Sequence, residues 1–222
     1  MSRQQNGSEK WQPSAWRQLL DMILPVLEDL PQEMTWSLGG GTALAISLRH
    51  RISYDIDIFF QDADALKLLS PNKNRKIRSL SDNWQQPGHY LKIERPEGDI
   101  DFLVTRTFTE KPFFLYDFND KKINVESPAE IVAKKIHYRA SQFTVRDIFD
   151  LAVFSASEPR GFFSCNPDIC EAVPRVLDRI KRLQKRYEKT IHHSVFPTEF
   201  GRKFLENGAE IAIEALGSFS RQ

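Results

Sequence analysis

The segment that decides the fold is SLGGGTALAISLRHRISYDIDIFF, residues Ser37–Phe60. Three consecutive glycines, Gly39–Gly41, come directly before a helix-like apolar run, and Asp55 and Asp57 lie in the alternating run that follows. Glycines ahead of a helix leave backbone N–H groups free to bind phosphate, and the helix dipole favours the same anion. Residues two apart in a strand project to one face, so Asp55 and Asp57 point together. The segment predicts a phosphate-binding turn beside paired acids.

A second acidic strand, GDIDFLV, extends this prediction. Two carboxylates on one face repel each other unless a cation lies between them, and a divalent metal is the usual solution. If the two strands are neighbours, Asp101 joins Asp55 and Asp57 around two metals that clamp the attacking and leaving oxygens of a displacement. Asp99, next to the turn, is expected to be solvated. Each feature alone is more often a plain turn or a solvent-facing strand, but the combination favours a metal–phosphate site.

The order of the predicted elements divides the chain near Ser127. Before it, a helix from Trp16, several short strands and a hairpin turning at RPEG indicate a small mixed sheet with helices. After it, Ser127 is a candidate N-cap with Pro128 at the first helical position, and further helical segments follow at 145–156, 166–191 and 201–219. We predict an α+β fold with an α/β core in residues 1–126 and a helical domain in residues 127–222.

Cations on the first two of these helices are candidates for phosphate binding. Lys135 and Arg139 lie four residues apart and share one helix face, whereas Lys134 is expected to be ordinary surface. Arg146 and Asp150 have the same spacing, so an intrahelical ion pair explains them as well as a site does.

The third predicted helix has a strongly basic segment. Residues 175–189 contain seven Lys or Arg residues against two acids, on a helix with an apolar stripe. A solvated face is the default explanation of such a helix. A track for RNA beside the site is the other explanation, and both stay open here.

Composition limits the remaining function classes. The chain has 222 residues, is 41% hydrophobic and 27% charged, and has a formal net charge of +1, so any basic surface must be local. Cys165 and Cys170 are too few for a disulfide framework or a zinc site and suit a reducing compartment. No stretch reaches the roughly 18 apolar residues that a membrane span needs, and the first residues do not form a signal peptide. We expect a cytoplasmic protein without a membrane partner.

Two blocks of the sequence together resemble one family. The first, GGGTALAISLRHRISYDIDIFF, combines a glycine pair at a helix start, an acid-x-acid strand and an HR-x-S-x-D-x-D run. The second, SPAEIVAKKIHYRASQFTVRDIFDLAVF, has a lysine eleven residues before an RD-x-x-D helix. Both are similar to the AbiEii/AbiGii toxin family of nucleotidyltransferases, within the polymerase-β-like superfamily. The resemblance spans roughly Leu38–Phe154 in two separated blocks.

This resemblance implies a polymerase-β-like nucleotidyltransferase core followed by a C-terminal helical bundle, with roles at the matching positions. The implied catalytic residues are Asp55, Asp57, Asp101, Lys135 and Asp147, and the first three of them are the implied metal ligands. The implied nucleotide-binding residues are Gly40, Gly41, Thr42, Ser53, Lys135, Arg139 and Arg146. Asp101 is expected to help deprotonate the attacking hydroxyl. His50 and Arg51 are expected either to hold the end of the glycine-turn helix or to contact the acceptor. Gly39, where family members often have a longer residue, is expected only to loosen the turn.

The implied activity is transfer of a nucleotide from a nucleoside triphosphate to an acceptor hydroxyl, with Mg²⁺ as cofactor and Mn²⁺ as the alternative ion. The resemblance also implies an RNA acceptor, with a tRNA 3′ end as first choice, and a cognate antitoxin as partner in a toxin–antitoxin or abortive-infection pair. Two other interpretations stay open. A nucleotidyltransferase for a small hydroxylated molecule, of the antibiotic-modifying type, would need an acidic pocket for amines. A catalytically inactive nucleotide-binding module would bind nucleotide with Mg²⁺ and form no product.

Overall fold

The computed structural model describes residues 13–158 and 166–219, so Cys165 lies outside the described residues. The helices are α1 (Trp16–Leu27), α2 (Gly40–Leu48), α3 (Asp64–Leu68), α4 (Arg75–Arg78), α5 (Pro128–Arg139), α6 (Val145–Ser157), α7 (Pro167–Ile191), α8 (Glu199–Arg202) and α9 (Gly208–Phe219), with a 3₁₀ turn at Ala140–Gln142. The strands are β1 (Trp36–Gly39), β2 (Arg51–Ile52), β3 (Ile56–Phe60), β4 (Trp84–Gln85), β5 (Tyr90–Ile93), β6 (Ile100–Val104), β7 (Phe113–Phe118), β8 (Lys121–Glu126) and β9 (Phe196–Pro197).

One mixed sheet forms the first half of the molecule. Its seven strands follow the order β4-β5-β6-β3-β1-β8-β7, and β2 and β9 pair separately. β3 runs antiparallel to β1 and parallel to β6, and β8 runs parallel to β1. The hairpin predicted around RPEG is the β5–β6 pair. The α+β prediction is therefore confirmed: a mixed sheet with helices precedes a helical half.

The two faces of the sheet differ in chemistry because side chains alternate along each strand. In β3, Ile56, Ile58 and Phe60 are buried in a core that α1 covers, whereas Asp57 and Phe59 point to the other face. α1 supplies its apolar stripe to that core and runs through Pro25, which is exposed. The face with Asp57 is left for the site.

Buried apolar side chains form two clusters that meet at α5. The first contains the sheet, α1 and α2 and ends at Ile131, and the second contains residues of α5, α6, α7 and α9 and begins on α5 with Val132. Ser127 caps α5 by accepting a hydrogen bond from the Glu130 N–H, as its position before Pro128 predicts. The domain boundary at 126/127 stays a prediction, but α5 is the element that joins the two cores.

The last predicted helix, 201–219, is interrupted. α8 ends at Arg202 and α9 begins at Gly208, with turns between them. Tyr187 Oη donates to the Phe204 carbonyl at 2.9 Å, so that carbonyl is satisfied without a helical N–H. A Cβ on Gly208 would lie 2.2 Å from Tyr187 Oη, so glycine is required at the restart of the helix. This tertiary hydrogen bond explains the break.

Candidate active site

Parallel pairing of β3 and β6 brings two of the predicted acids side by side. Asp57 lies directly opposite Asp101 in the register, and both line a cavity of about 750 Å³ between the sheet and the helices. Burial, together with the negative charge of Asp55, raises the pKa of Asp57 to about 6. Burial and Asp57 raise the pKa of Asp101 to about 7. The pair is a centre of negative charge that the protein compensates only in part.

Asp55 lies just before β3, and its Oδ1 accepts a hydrogen bond from the Asp99 N–H at 3.0 Å. Asp99 is not simply solvated as expected, because its carboxylate lies 2.8 Å from Lys92 Nζ. Lys92 is opposite Asp101 in the β5–β6 register and lies 3.4 Å from Asp101 Oδ1. The sequence reasoning missed Lys92, although the alternation of β5 places it on the acidic face.

The acids fit a hard divalent cation in the chemistry of their donor atoms. Asp101 Oδ1 is buried and accepts no hydrogen bond from the described residues, but Lys92 Nζ lies 3.4 Å from it, so a metal ion would share this oxygen with Lys92. Across residues 13–158 and 166–219, however, no group of three His, Cys, Asp or Glu side chains is arranged to hold a metal. Asp57 and Asp101 are thus adjacent, and a metal site completed by Asp55 stays a prediction.

The glycine turn lies against Asp57. Gly40 begins α2 with φ of +61°, and a Cβ there would lie 1.9 Å from Asp57 Oδ2. Only glycine allows both this backbone conformation and this approach. A Cβ on Gly39 would lie 2.5 Å from Glu126 Oε2 and from the Phe59 ring. Gly39 therefore does more than loosen the turn, because its lack of a side chain makes room for the side chains of Glu126 and Phe59.

Of the other residues predicted to bind nucleotide here, Gly41 and Ser53 line the cavity. Thr42 is buried, and its hydroxyl donates to the Asp55 carbonyl. Thr42 is not part of the cavity lining, so its contact in this structure is with the backbone at the entry to β3.

A buried carboxylate on α6, Asp150, organises the opposite wall. Its Oδ1 lies 2.7 Å from Arg51 Nε and 2.8 Å from His50 Nε2, and its Oδ2 accepts hydrogen bonds from Lys135 Nζ and from Arg51 Nη2. Burial alone would raise the pKa of Asp150, but Arg51 and Lys135 hold it well below its usual value. His50 and Arg51 therefore bind α6, and Asp150 is no simple ion-pair partner of Arg146.

Asp147 anchors the other end of this wall. It forms a capping box with Thr144 at the start of α6, and its Oδ1 lies 2.9 Å from Arg139 Nη1 and 3.1 Å from Lys135 Nζ. Lys135 thus bridges both α6 acids, which keeps its amine in one place. The predicted pairing of Lys135 and Arg139 on one face of α5 matches their shared contact with Asp147.

Arg146 lines the same cavity with its charge uncommitted. Among the described residues, no carboxylate lies within 4.0 Å of its guanidinium, whereas Arg51, Lys135 and Arg139 are each paired. It is therefore the cavity cation with most charge left for a ligand.

Comparison with known proteins identifies the family. Residues 22–164 match the family described as nucleotidyl transferase AbiEii toxin, type IV TA system. The chain belongs to this AbiEii family. It is a nucleotidyltransferase by family, and the family's toxin–antitoxin system implies an antitoxin. Among curated proteins, none matches the chain.

Solved structures similar to this AbiEii chain are nucleotidyltransferases at low identity. The lincomycin-bound lincosamide antibiotic adenylyltransferase LnuA has a TM-score of 0.44 at 18% identity over 63% of this chain and 96% of its own. The antibiotic-resistance factor ANT(2″)-Ia has a TM-score of 0.45 at 14% identity, over 81% of this chain and 97% of its own. An antigenic nucleotidyltransferase-like protein from Paracoccidioides brasiliensis has a TM-score of 0.39 at 17% identity, over 77% of this chain and 88% of its own.

Two further properties bear on predictions for this AbiEii chain. In the part of the chain that the structure describes, no helix is long and apolar enough to cross a membrane.

Lys134, expected at the surface, is instead 7% exposed and pairs with Glu126 at 2.5 Å. Both side chains line the cavity, and Lys134 Nζ lies 4.3 Å from the centre of the Phe59 ring. The sequence held one signal for this pair, an acid at the end of a strand, but nothing local links it to Lys134.

Proposed function

We propose that this AbiEii-family chain transfers a nucleotidyl group from a nucleoside triphosphate to a hydroxyl of an RNA acceptor, using Mg²⁺ or Mn²⁺. The observation that carries the proposal is the pairing of Asp57 with Asp101 against the glycine turn at the start of α2. Nucleotidyl transfer needs carboxylates that hold a cation and backbone N–H groups that bind phosphate, and the candidates for both, the Asp57–Asp101 pair and the Gly40–Gly41 turn, line this cavity.

The cations of the cavity support a position for the triphosphate between the two walls. Lys135 and Arg139 are held by the α6 acids, so they offer positive charge in a fixed place. Preorganised charge of this kind stabilises a transferring phosphoryl group without rearrangement. Arg146, which has no ion pair among the described residues, is the side chain we assign to the leaving pyrophosphate.

In the proposed reaction the acceptor oxygen attacks the α-phosphorus while the bond from this phosphorus to the β-phosphate oxygen breaks. One P–O bond forms, one breaks, and pyrophosphate leaves towards the Gly40–Gly41 turn and Arg146. The hydroxyl proton passes to Asp101, whose Oδ1 accepts no hydrogen bond from the described residues. A divalent cation held by Asp55, Asp57 and Asp101 would neutralise phosphate charge and activate the attacking hydroxyl.

The part of the cavity lined by Phe59, Leu103 and Ile131, which we call its less polar half, suits the nucleoside. Phe59 and Leu103 are paired in the register and lie two residues beyond Asp57 and Asp101 on the same sheet face. Ile131 of α5 also lines this half, next to the Glu126–Lys134 pair. An apolar surface with few polar groups is typical of a nucleoside pocket, so we place the base against Phe59.

The basic face of α7 supports RNA as the acceptor. Arg179 Nε donates to the Phe143 carbonyl at 3.1 Å, just before α6, and Ser194, which follows α7, lines the cavity. Arg179 thus connects the basic segment 175–189 to the residue before Thr144, which lines the cavity, and we infer that a phosphate backbone entering the cavity would gain from the charge of this segment. We propose a tRNA 3′ end as acceptor, with blocked translation as the toxic effect and a cognate antitoxin as regulator.

The direct test is incubation with each labelled nucleoside triphosphate, Mg²⁺ and total RNA. We expect one nucleotide to label RNA, and Asp57→Asn to lower the rate by about 10²–10³-fold or more. Asp82→Asn, which changes an exposed carboxylate outside the cavity lining, is the matched control and should label at the wild-type rate.

The same assay separates the other two interpretations. Labelling of small hydroxylated amines with no labelling of RNA would identify a small-molecule enzyme and contradict the RNA proposal. Mg²⁺-dependent nucleotide binding that Asp57→Asn abolishes, without product from any acceptor, would identify an inactive binding module.

A further inference from the structure

The strand β7 has an unusual outer edge. Among the strands of residues 13–158 and 166–219, it is the last in the order of the sheet and has β8 as its only neighbour. Its first three residues are consecutive, apolar and exposed: Phe113 and Phe114 are each 39% exposed and Leu115 is 64% exposed. Natural edge strands are normally protected by charges, bulges or a covering element, because an open apolar edge pairs with other chains. An apolar run on an open edge therefore indicates an interface.

The hydrogen-bond pattern shows which backbone groups are free. β7 and β8 form a hairpin closed by Phe118 opposite Lys121, and at the other end the Ser127 N–H donates to the Pro112 carbonyl at 2.8 Å. In an antiparallel pair, bonded positions alternate with outward-facing ones. Even-numbered residues of β7 therefore bond β8, and the odd-numbered residues Phe113, Leu115 and Asp117 direct their N–H and C=O groups outward.

We propose that a second copy of this chain occupies this edge, with the two β7 strands antiparallel about a two-fold axis at Phe114. This proposal is independent of the proposed reaction. Hydrogen bonds form between the copies only where an odd-numbered residue of one β7, whose N–H and C=O point outward, lies opposite an odd-numbered residue of the other. The two-fold axis must therefore pass through a residue, since an axis between two residues would pair odd-numbered with even-numbered positions. With the axis at Phe114, Phe113 faces Leu115 of the second copy twice, and Lys111, in the bend two residues before β7, would lie near Asp117 of the second copy twice.

Charge complementarity selects this register and a like partner. Lys111 and Asp117 are both exposed and lie three residues before and three residues after Phe114, so the chain is complementary to itself about that point. An axis at Leu115 would instead place Phe113 opposite Asp117, and an axis at Phe113 would place Lys111 opposite Leu115. The net charge of +1 leaves little long-range repulsion between copies.

The symmetry fixes how the two sites would be related. A two-fold axis perpendicular to the sheet keeps corresponding faces on the same side, so both active cavities would open on one face of a continuous sheet. Phe113 also lines a small hollow of about 100 Å³ together with Phe59 and Glu126. The interface would therefore adjoin the less polar half of each cavity.

Sedimentation velocity over a concentration series tests the dimer. We expect the wild type to be a concentration-dependent dimer and Leu115→Lys to be a monomer at every concentration. Leu68→Lys is the matched control, because Leu68 is an apolar residue on α3 with 43% exposure, and this variant should behave like the wild type. A wild type that stays monomeric at the highest soluble concentration, or a Leu115→Lys variant that still dimerises, would overturn the proposal.

A charge-swap experiment tests the register itself. Lys111→Asp and Asp117→Lys each turn two attractive pairs into like-charge pairs, so each variant alone should dimerise about tenfold more weakly than the wild type. Mixed together, the two variants form complementary pairs again and should give a heterodimer of near wild-type affinity. The existing Asp117–Lys122 pair is exposed, so its loss should leave the fold intact. Failure of the mixture to restore dimerisation would show that this register is wrong.

Discussion

At the scale of single residues, Asp150 supports the cationic wall of the cavity. It is fully buried and bonded to three side chains, those of Arg51 on β2, Lys135 on α5 and His50 in the connection between α2 and β2. Burying a charge is costly unless it is paired, and removing one partner of such a set leaves the others uncompensated. Asp150 therefore stabilises the fold and fixes Lys135 at the same time.

We expect Asp150→Asn to destabilise the protein by about 3–5 kcal/mol, because buried Arg51 and Lys135 lose their shared carboxylate. Urea unfolding measures the change in the free energy of unfolding. Asp82→Asn removes an exposed carboxylate and should change it by less than about 0.5 kcal/mol. Equal stability of the two variants would mean that Asp150 is not the compensating charge.

Acid should destabilise the protein through His50, whereas Asp57 and Asp101 oppose this loss, because their pKa values, raised to about 6 and 7, make the folded chain take up protons before the unfolded chain does. Burial lowers the pKa of His50 below its usual 6.5, and Arg51 and Lys135 act in the same direction while Asp150 opposes them. The unfolded chain therefore takes up a proton near pH 6.5 that the folded chain does not, so stability is present above this pH and is lost as the pH falls. Asp147 and Asp150 also have lowered pKa values, so a further loss follows below their usual value of 3.8.

Urea midpoints at about pH 7.5, 5.5 and 4 follow this loss. Relative to His50→Gln, the wild-type midpoint should fall between the first two values, because glutamine does not titrate while Asp57 and Asp101 titrate alike in both proteins. The same pH dependence of the midpoint in the wild type and in His50→Gln would show that His50 does not contribute.

At the scale of elements, α5 shows how far sequence reasoning reaches. Its cap at Ser127 and its start at Pro128 follow from local spacing, and a functional Lys135 on it follows from the resemblance. The contact of Lys134 with Glu126 does not, because helix periodicity says which residues share a face and not which element lies opposite. Lys92 was missed for a related reason, since its contact with Asp101 depends on the pairing of β5 with β6.

The Glu126–Lys134 pair should behave as a buried ion pair across β8 and α5. Lys134→Met leaves Glu126 buried without its cation and should cost about 3–5 kcal/mol, whereas the double variant Glu126→Gln/Lys134→Met should recover most of this loss. Lys122→Met, at an exposed pair on the same strand, is the control and should change stability by about 1 kcal/mol or less. A double variant whose loss of stability equals the sum of the losses in Glu126→Gln and Lys134→Met would contradict the coupling of Glu126 and Lys134.

At the scale of the whole molecule, the C-terminal region completes the wall that begins in the first half of the chain. β9 pairs with β2, with Pro197 opposite Arg51, and the Thr198 N–H donates to the His50 carbonyl at 3.0 Å. His50 and Arg51 are thus held by β9 through their backbone and by Asp150 through their side chains. Sequence reasoning assigned no role to this region, because a two-residue strand has no periodicity and its partner lies far away in the chain.

Gly201 of α8 tests this closure, because a Cβ there would lie 2.0 Å from the His50 carbonyl oxygen. We expect Gly201→Ala to separate α8 and β9 from β2, to lower the free energy of unfolding and to slow RNA labelling, because His50 and Arg51 lose their backbone support. Gly217→Ala is the matched control, since Gly217 lies in α9 with no atom within 4 Å of the added Cβ. That variant should be unchanged or more stable by roughly 0.5–1 kcal/mol, the usual gain from replacing a helical glycine. If Gly201→Ala unfolds and labels RNA like Gly217→Ala, the C-terminal region packs beside the site without supporting it, and Asp150 alone holds His50 and Arg51.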